Sequence, residues 1–302
     1  MGEAEHRPRF GSLLTAMVTP FDEGGALDLE AASALVRYLE GRGTQGLVVA
    51  GSTGEGSVLS DKEKLALFAA VKEAATVPVV AGVGSNDTAH AAELARGAAS
   101  AGVDGLLVVT PYYNRPPQAG LRRHFEQVAG ATDLPVIVYD IPVRTGRAIA
   151  LDTMVELARE VPTIVGVKDS THDPARAARL VARAPSTFEL YSGDDDMVLP
   201  MLAVGAVGLV SVASHWAGRE LAELLTAAAK GDFAGARAVL ARLFDSFDFE
   251  STEAFPNPLP AKAACRALGL AVGQCRDPLG PAPAALEDAA RRVLEGLGLP
   301  VG

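Results

Sequence analysis

The stretch VPVVAGVGSNDTAHAAELARGAASAGVDGLLVVTP, residues 77–111, carries the architecture in miniature. VPVVAGVG (77–84) is a short apolar run, DTAHAAELARGAASAG (87–102) has a helical pattern, and GLLVVTP (105–111) is a second apolar run. Runs that are apolar on both faces read as buried parallel strands, and two of them joined by a helix make a βαβ unit. Working outward, the same kind of run recurs at LLTAMVTPF (13–21), GLVVAG (46–51), PVIVYDIP (135–142), TIVGVKDS (163–170), FELYSGDD (188–195) and GLVSVASH (208–215). Helical patterns intervene, among them SDKEKLALFAAVKEAAT (60–76) and AGLRRHFEQVAGAT (119–132). In the first of these, Ser60 and Glu63 have the spacing of a capping box. A strand–helix unit repeated every ~30 residues, about eight times, predicts a (β/α)8 TIM barrel.

The rival is a doubly wound open sheet, which favours G-x-G-x-x-G after its first strand. Here DEGGALDLE (22–30) follows instead, and no Walker loop occurs. Beyond FAGARAVLARLFDSF (233–247) the strands stop, and helical patterns continue through NPLPAKAACRALGL (257–270) and APAALEDAARRVLEGLGL (282–299). The predicted organisation is a barrel over residues 1–231 and a small C-terminal helical domain over 232–302.

Composition narrows the function. A net charge of −10 disfavours nucleic acid and anionic membrane as partners. No apolar run approaches the roughly 20 residues of a membrane span. MGEAEHRPRF (1–10) has no apolar core, so it does not read as a secretory signal, and it lacks the Ser or Thr expected for myristoylation. Two cysteines, Cys265 and Cys275, make no disulfide framework and suit no common zinc module. A reduced, cytoplasmic setting is expected.

In a barrel, catalysis gathers at the carboxyl ends of the strands. Lys168 stands at such an end, after the apolar run Ile164–Val167. It reads in two ways. It is a Schiff-base nucleophile, since burial disfavours an ammonium relative to a reactive amine. Or it is a structural lysine paired with Asp140 or Asp169. Tyr139, at the same height on the neighbouring strand, favours the first, because a phenol beside an amine can shuttle protons. GSTGE (51–55) reads as a tight loop offering backbone amides and the hydroxyls of Ser52 and Thr53 to a small carboxylate, or as an ordinary strand-to-helix turn. Arg144 is either a bidentate carboxylate ligand or a surface residue. Asp194, Asp195 and Asp196, with Asp140 and Asp169, raise a metal cage; capping of the following helix is the favoured reading of the run. The five histidines have no ligand spacing, and His215 with Trp216 reads as packing.

GSTGE, TPYYNRP (110–116), YDIPVRTG (139–146), GVKDS (166–170), SGDD (192–195) and NPLPAK (257–262) occur together in this order. With them the chain, from Phe10 to its end, resembles the dihydrodipicolinate synthase and N-acetylneuraminate lyase family of pyruvate-dependent class I aldolases. The resemblance implies a (β/α)8 barrel with a C-terminal helical domain, a homotetramer built as a dimer of dimers, and no metal or organic cofactor. It implies that Lys168 forms the Schiff base with pyruvate and that Tyr139 donates and accepts protons. It implies that Thr53 links Tyr139 to Tyr113 reaching in from a neighbouring subunit. Ser52 and Thr53 would hold the pyruvate carboxylate, Gly193 and the backbone of Val210 would line the pocket, and Arg144 would bind the second substrate.

Arg144 and NPLPAK favour the synthase branch, in which that substrate is aspartate semialdehyde and the product, 4-hydroxy-tetrahydrodipicolinate, leads to lysine and diaminopimelate. Ser52 stands where many synthases have Thr, Asp140 where many have Asn, and KDS replaces a common KEA or KDA. The alternatives are a relative acting on a sugar-derived 2-keto acid and a non-catalytic barrel that binds keto acids. Lysine-inhibited members carry histidines and a glutamate where this chain has Asp61, Lys64 and His90, with Asn86 and Tyr112 kept. Weak or absent inhibition by L-lysine is therefore expected.

Overall fold

The computed structural model describes residues 7–302. The reading of the first six residues lies outside them. Eight strands close the barrel: β1 (Leu13–Ala16), β2 (Gly46–Val49), β3 (Val79–Gly82), β4 (Gly105–Val109), β5 (Val136–Asp140), β6 (Ile164–Asp169), β7 (Glu189–Ser192) and β8 (Gly208–Ser211). Each pairs in parallel with the next, and β8 returns to β1 through Leu14↔Val210. The (β/α)8 expectation holds.

The outer layer comprises α1 (Leu29–Glu40), α2 (Asp61–Ala74), α3 (Thr88–Ser100), α4 (Gln118–Ala129), the single turn α5 (Pro142–Thr145), α6 (Leu151–Glu160), α7 (Pro174–Arg183), α8 (Val198–Ala203) and α9 (Ser214–Ala229). Then come α10 (Phe233–Ala241), α11 (Phe244–Glu250), α12 (Leu259–Ala267) and α13 (Ala284–Gly296). The helix starts follow the sequence closely. Ser60 and Glu63 form the complete capping box on α2, and Asp28, Asp87, Asp173 and Asp232 cap α1, α3, α7 and α10. Each such cap contributes about 1 kcal/mol by satisfying amides the helix cannot. No described helix is long and apolar enough to cross a membrane.

Two apolar layers hold the barrel. Inward-pointing Leu14, Val48, Val80, Ile137, Tyr191 and Val210 fill its interior. Phe10 plugs the amino end, where a Cβ on Gly105 would lie 2.5 Å from the Phe10 ring, so only glycine fits. The outward faces pack on the helices, and that core runs without a break into α10–α13. Trp216 is fully buried there, giving its indole N–H to Ser246 Oγ at 3.1 Å with Phe249 edge-on. With His215, also fully buried, it packs as expected, though on the first turn of α9 and not on a strand.

The strands are shorter than their apolar runs at the carboxyl end; β1 stops at Ala16 and β8 at Ser211. Residues beyond those points leave the ladder and become the mouth. The aspartate run behaves differently from the capping expectation. α8 has no side-chain cap; Asp195 instead accepts from Ser211 Oγ and from the Val212 amide at 2.8 Å, tying β7 to β8.

Candidate active site

β5 and β6 run side by side with Tyr139 opposite Lys168 and Asp140 opposite Asp169. Alternation along a strand then separates the four side chains into two pairs. Tyr139 and Lys168 are nearly buried, and the lysine Nζ lies 4.3 Å from the centroid of the tyrosine ring. Asp140 and Asp169 face α7, where Arg176 takes both, Nη2 to Asp140 and Nη1 to Asp169, each at 2.9 Å. The structural reading of Lys168 fails here: its candidate carboxylate partners belong to Arg176, and no described residue forms an ion pair with it.

Asp140 feels this enclosure. Burial pushes its carboxyl up to about 7, Arg176 pulls it down, and Asp169 pushes it further up.

The loop after β2 turns through left-handed residues at Ala50 and Glu55. A Cβ on Gly54 would come within 3.0 Å of backbone on both Ala50 and Met17, so the chain passes itself closely there. Thr53 is buried and its Oγ accepts from Asn257 Nδ2 at 2.9 Å. Glu55 is buried and pairs with Lys262 at 2.7 Å, while accepting from the Arg276 amide. Thus GSTGE on the barrel and NPLPAK on the C-terminal segment are joined twice. Arg144, on α5, donates to the carbonyl of Asn257 at 3.1 Å.

These elements surround a cavity of about 490 Å³. Ser52, Tyr139, Arg144 and Asn257 are on its wall. Lys168 and Thr53 stand one contact behind, through Tyr139 and Asn257 respectively. Gly193 and Val210 are not on this wall. Val210 is fully buried in the barrel interior, and Gly193 is pressed against the end of β6, where a Cβ would fall 2.1 Å from Ser170 Oγ. Tyr113 is 90% exposed, with a left-handed backbone, and the described residues show no hydroxyl chain from Tyr139 through Thr53 to it. The same cavity extends past Ser85 and Tyr112 to His90, Asp61 and Lys64. His90 Nε2 contacts Asp61 at 2.8 Å, and burial holds the Lys64 pKa below its ordinary value. A larger cavity, about 900 Å³, lies between residues 21–28 and 271–281 and contains none of the site residues expected from the sequence.

Among the described residues no cluster of His, Cys, Asp or Glu is arranged to hold a metal ion. The aspartates of the imagined cage serve separate partners: Asp140 and Asp169 hold Arg176, Asp195 holds β8, and Asp194 meets His172 at 3.1 Å.

Sequence reasoning missed Asn257 and Arg176. Asn257 had a signal, since it opens NPLPAK. Arg176 had none; it is one of several arginines on a helix whose polar face reads as solvated.

Comparison with known proteins places the chain. The model of the dihydrodipicolinate synthetase family matches residues 9–296. The 4-hydroxy-tetrahydrodipicolinate synthase of Symbiobacterium thermophilum is 48% identical over 294 residues, 97% of this chain and 99% of that one. The crystal structure of a dihydrodipicolinate synthase from Cyanidioschyzon merolae with lysine bound superposes with a TM-score of 0.94 at 39% identity, covering 97% of this chain and all of that one. The chloride-inhibited dihydrodipicolinate synthase from Acinetobacter baumannii, complexed with pyruvate, gives a TM-score of 0.91 at 34% identity, covering 96% of this chain and 99% of that one.

Proposed function

The chain belongs to the dihydrodipicolinate synthetase family, and we propose that Lys168 is the group through which it condenses pyruvate with L-aspartate 4-semialdehyde to give 4-hydroxy-tetrahydrodipicolinate. The enzyme is a lyase of lysine and diaminopimelate biosynthesis, a Schiff-base aldolase. The observation that carries the role of Lys168 is its position: a nearly buried lysine at a strand end, without a carboxylate partner among the described residues, against the ring of Tyr139.

The chemistry derives from that position. The Lys168 amine adds to the keto carbon of pyruvate, and the carbinolamine loses water to an iminium. Tyr139 supplies the proton that turns the departing hydroxyl into water. Loss of a methyl proton gives the enamine, which attacks the aldehyde carbon of the second substrate. The amine of that substrate then displaces Lys168 and closes the ring. Ser52 and Thr53 hold the pyruvate carboxylate. Their amides have no acceptor among the described residues, which supports this role. Arg144, on the cavity wall, takes the carboxylate of the semialdehyde.

We read the assembly as a homotetramer in which Tyr113 is covered by a second subunit, and the setting as the cytoplasm. The exposure of Tyr113 and the two unpaired thiols support these readings. A bound lysine would meet Lys64 and an Asp61 already engaged by His90, so feedback by L-lysine is weak in this reading.

Pyruvate with borohydride should leave a reduced adduct on Lys168 and abolish activity. An adduct on another lysine, or none, would overturn the assignment. In the same assay, half-inhibition at sub-millimolar L-lysine would refute weak feedback.

A further inference from the structure

Tyr139 and Lys168 must meet at one height for a proton to pass between them, yet the ladder between β5 and β6 is irregular. Val136 pairs with Ile164 and Ile137 with Gly166, so Val165 is bulged out three residues before Lys168. A bulge bends the strand and re-aims the side chains beyond it. Regular pairing resumes from Ile137↔Gly166 to Asp140↔Asp169, which sets the register of these two strand ends but not the orientation of the side chains they carry. Arg176 supplies what is missing. Its side chain is only 14% exposed, and both carboxylates it grips are wholly buried. Its Nη2 also donates to the carbonyl of Ile149 at 2.7 Å, while the Ile149 amide returns to Asp140. Thr171 closes the other side through its amide and hydroxyl to Asp169. Each carboxylate sits one residue past a member of the proposed catalytic pair.

We infer that Arg176 is a positioning residue: its guanidinium, forked between Asp140 and Asp169, pins the ends of β5 and β6 and so sets the approach of Lys168 to Tyr139. The inference rests on the Schiff-base role of Lys168. It adds a third residue that touches no substrate and sits on the helix side of the barrel wall. The planar fork matters, because an ammonium has donors for two carboxylates but no rigid plane to fix their relative orientation.

The clamp is sensitive to pH. Arg176 from α7, Asp169 from β6 and the Ile149 amide from the segment before α6 face Asp140, whose carboxyl burial pushes up to about 7. Below that pH Asp140 gains a proton, its contact with Arg176 loses charge assistance, and the grip loosens. Above it the contact of Asp140 with Arg176 is an ion pair.

The test is the rate of borohydride trapping with pyruvate, measured against pH. The wild-type adduct is mapped first; its absence from Lys168 overturns the Schiff-base role and this inference with it. Given that adduct, Arg176→Met should trap about 10–100-fold more slowly while the pyruvate concentration for half-maximal rate hardly moves, because orientation is lost and binding is not. Arg176→Lys should recover only part. Equal rates in all three proteins overturn the clamp and leave the Schiff base standing. If Arg176→Met does not fold, Asp140→Asn decides. This variant keeps an acceptor for Nη2 but cannot titrate, so the component of the wild-type profile that rises near pH 7 should vanish. Persistence of that component overturns the proposal.

Discussion

At the scale of single residues, the site works by dividing charges between two faces of one strand pair. The inward residues of β5 and β6 are a phenol and an amine; the outward ones are carboxylates that find a guanidinium. Had Asp140 or Asp169 pointed inward, it would have stood beside Lys168 as an ion-pair partner and left Arg176 with one carboxylate fewer. Arg144 illustrates the opposite need, a cation that stays charged and reachable. It donates to one carbonyl, that of Asn257, and so has donors left over for a ligand. Arg144→Ala should form the pyruvate adduct normally but use aspartate semialdehyde poorly. Loss of a charge-assisted contact should lower kcat/KM for that substrate by about 2–3 kcal/mol. Wild-type turnover in this variant would show that the carboxylate binds elsewhere.

At the scale of elements, the C-terminal helices are part of the mouth. α12 begins just after Asn257, and its Lys262 is wholly buried with Nζ on Glu55, on the carbonyl of Gln274 at 2.9 Å, and 4.0 Å from the Phe21 ring. Burial lowers the pKa of this lysine and Glu55 raises it in return. Removing one partner of such a pair leaves the other charged and dry, which costs about 3–5 kcal/mol. Lys262→Met should lower the urea midpoint accordingly, and adding Glu55→Gln should recover much of the loss. If the double variant is no more stable than the single one, the pair is not what docks this segment. The strand ends teach the same lesson: apolar runs such as LLTAMVTPF continue past β1 because the mouth loops are themselves buried under other chain segments, so hydrophobicity outlasts hydrogen-bonded pairing.

At the scale of the whole molecule, one chain supplies the barrel, the nucleophile and most of the cavity wall, but it leaves Tyr113 outside. A solvent-exposed tyrosine in a left-handed conformation is costly to maintain for no purpose. If a second subunit covers it and brings its hydroxyl to Thr53, Tyr113→Phe and Lys168→Ala proteins should each be nearly inactive. Mixing them under conditions of subunit exchange should restore activity, since each mixed pair assembles one site with both side chains. Proven exchange without recovery would place Tyr113 outside the relay.

The amino-acid sequence by itself determined the barrel, because a strand buried on both faces must be continuously apolar and a helix on its surface must not be, and the alternation of the two is visible without coordinates. It determined the candidates at the strand ends as well, because polar residues there interrupt runs that have no other reason to stop. Only the tertiary structure decided their partners. Asp140 and Asp169 were as available to Lys168 as to Arg176 until the register of β5 on β6 and the placement of α7 turned them outward. Asn257 and Lys262 meet Thr53 and Glu55 across separations of about two hundred residues. Contacts at that distance depend on how the elements pack, and no local periodicity encodes them.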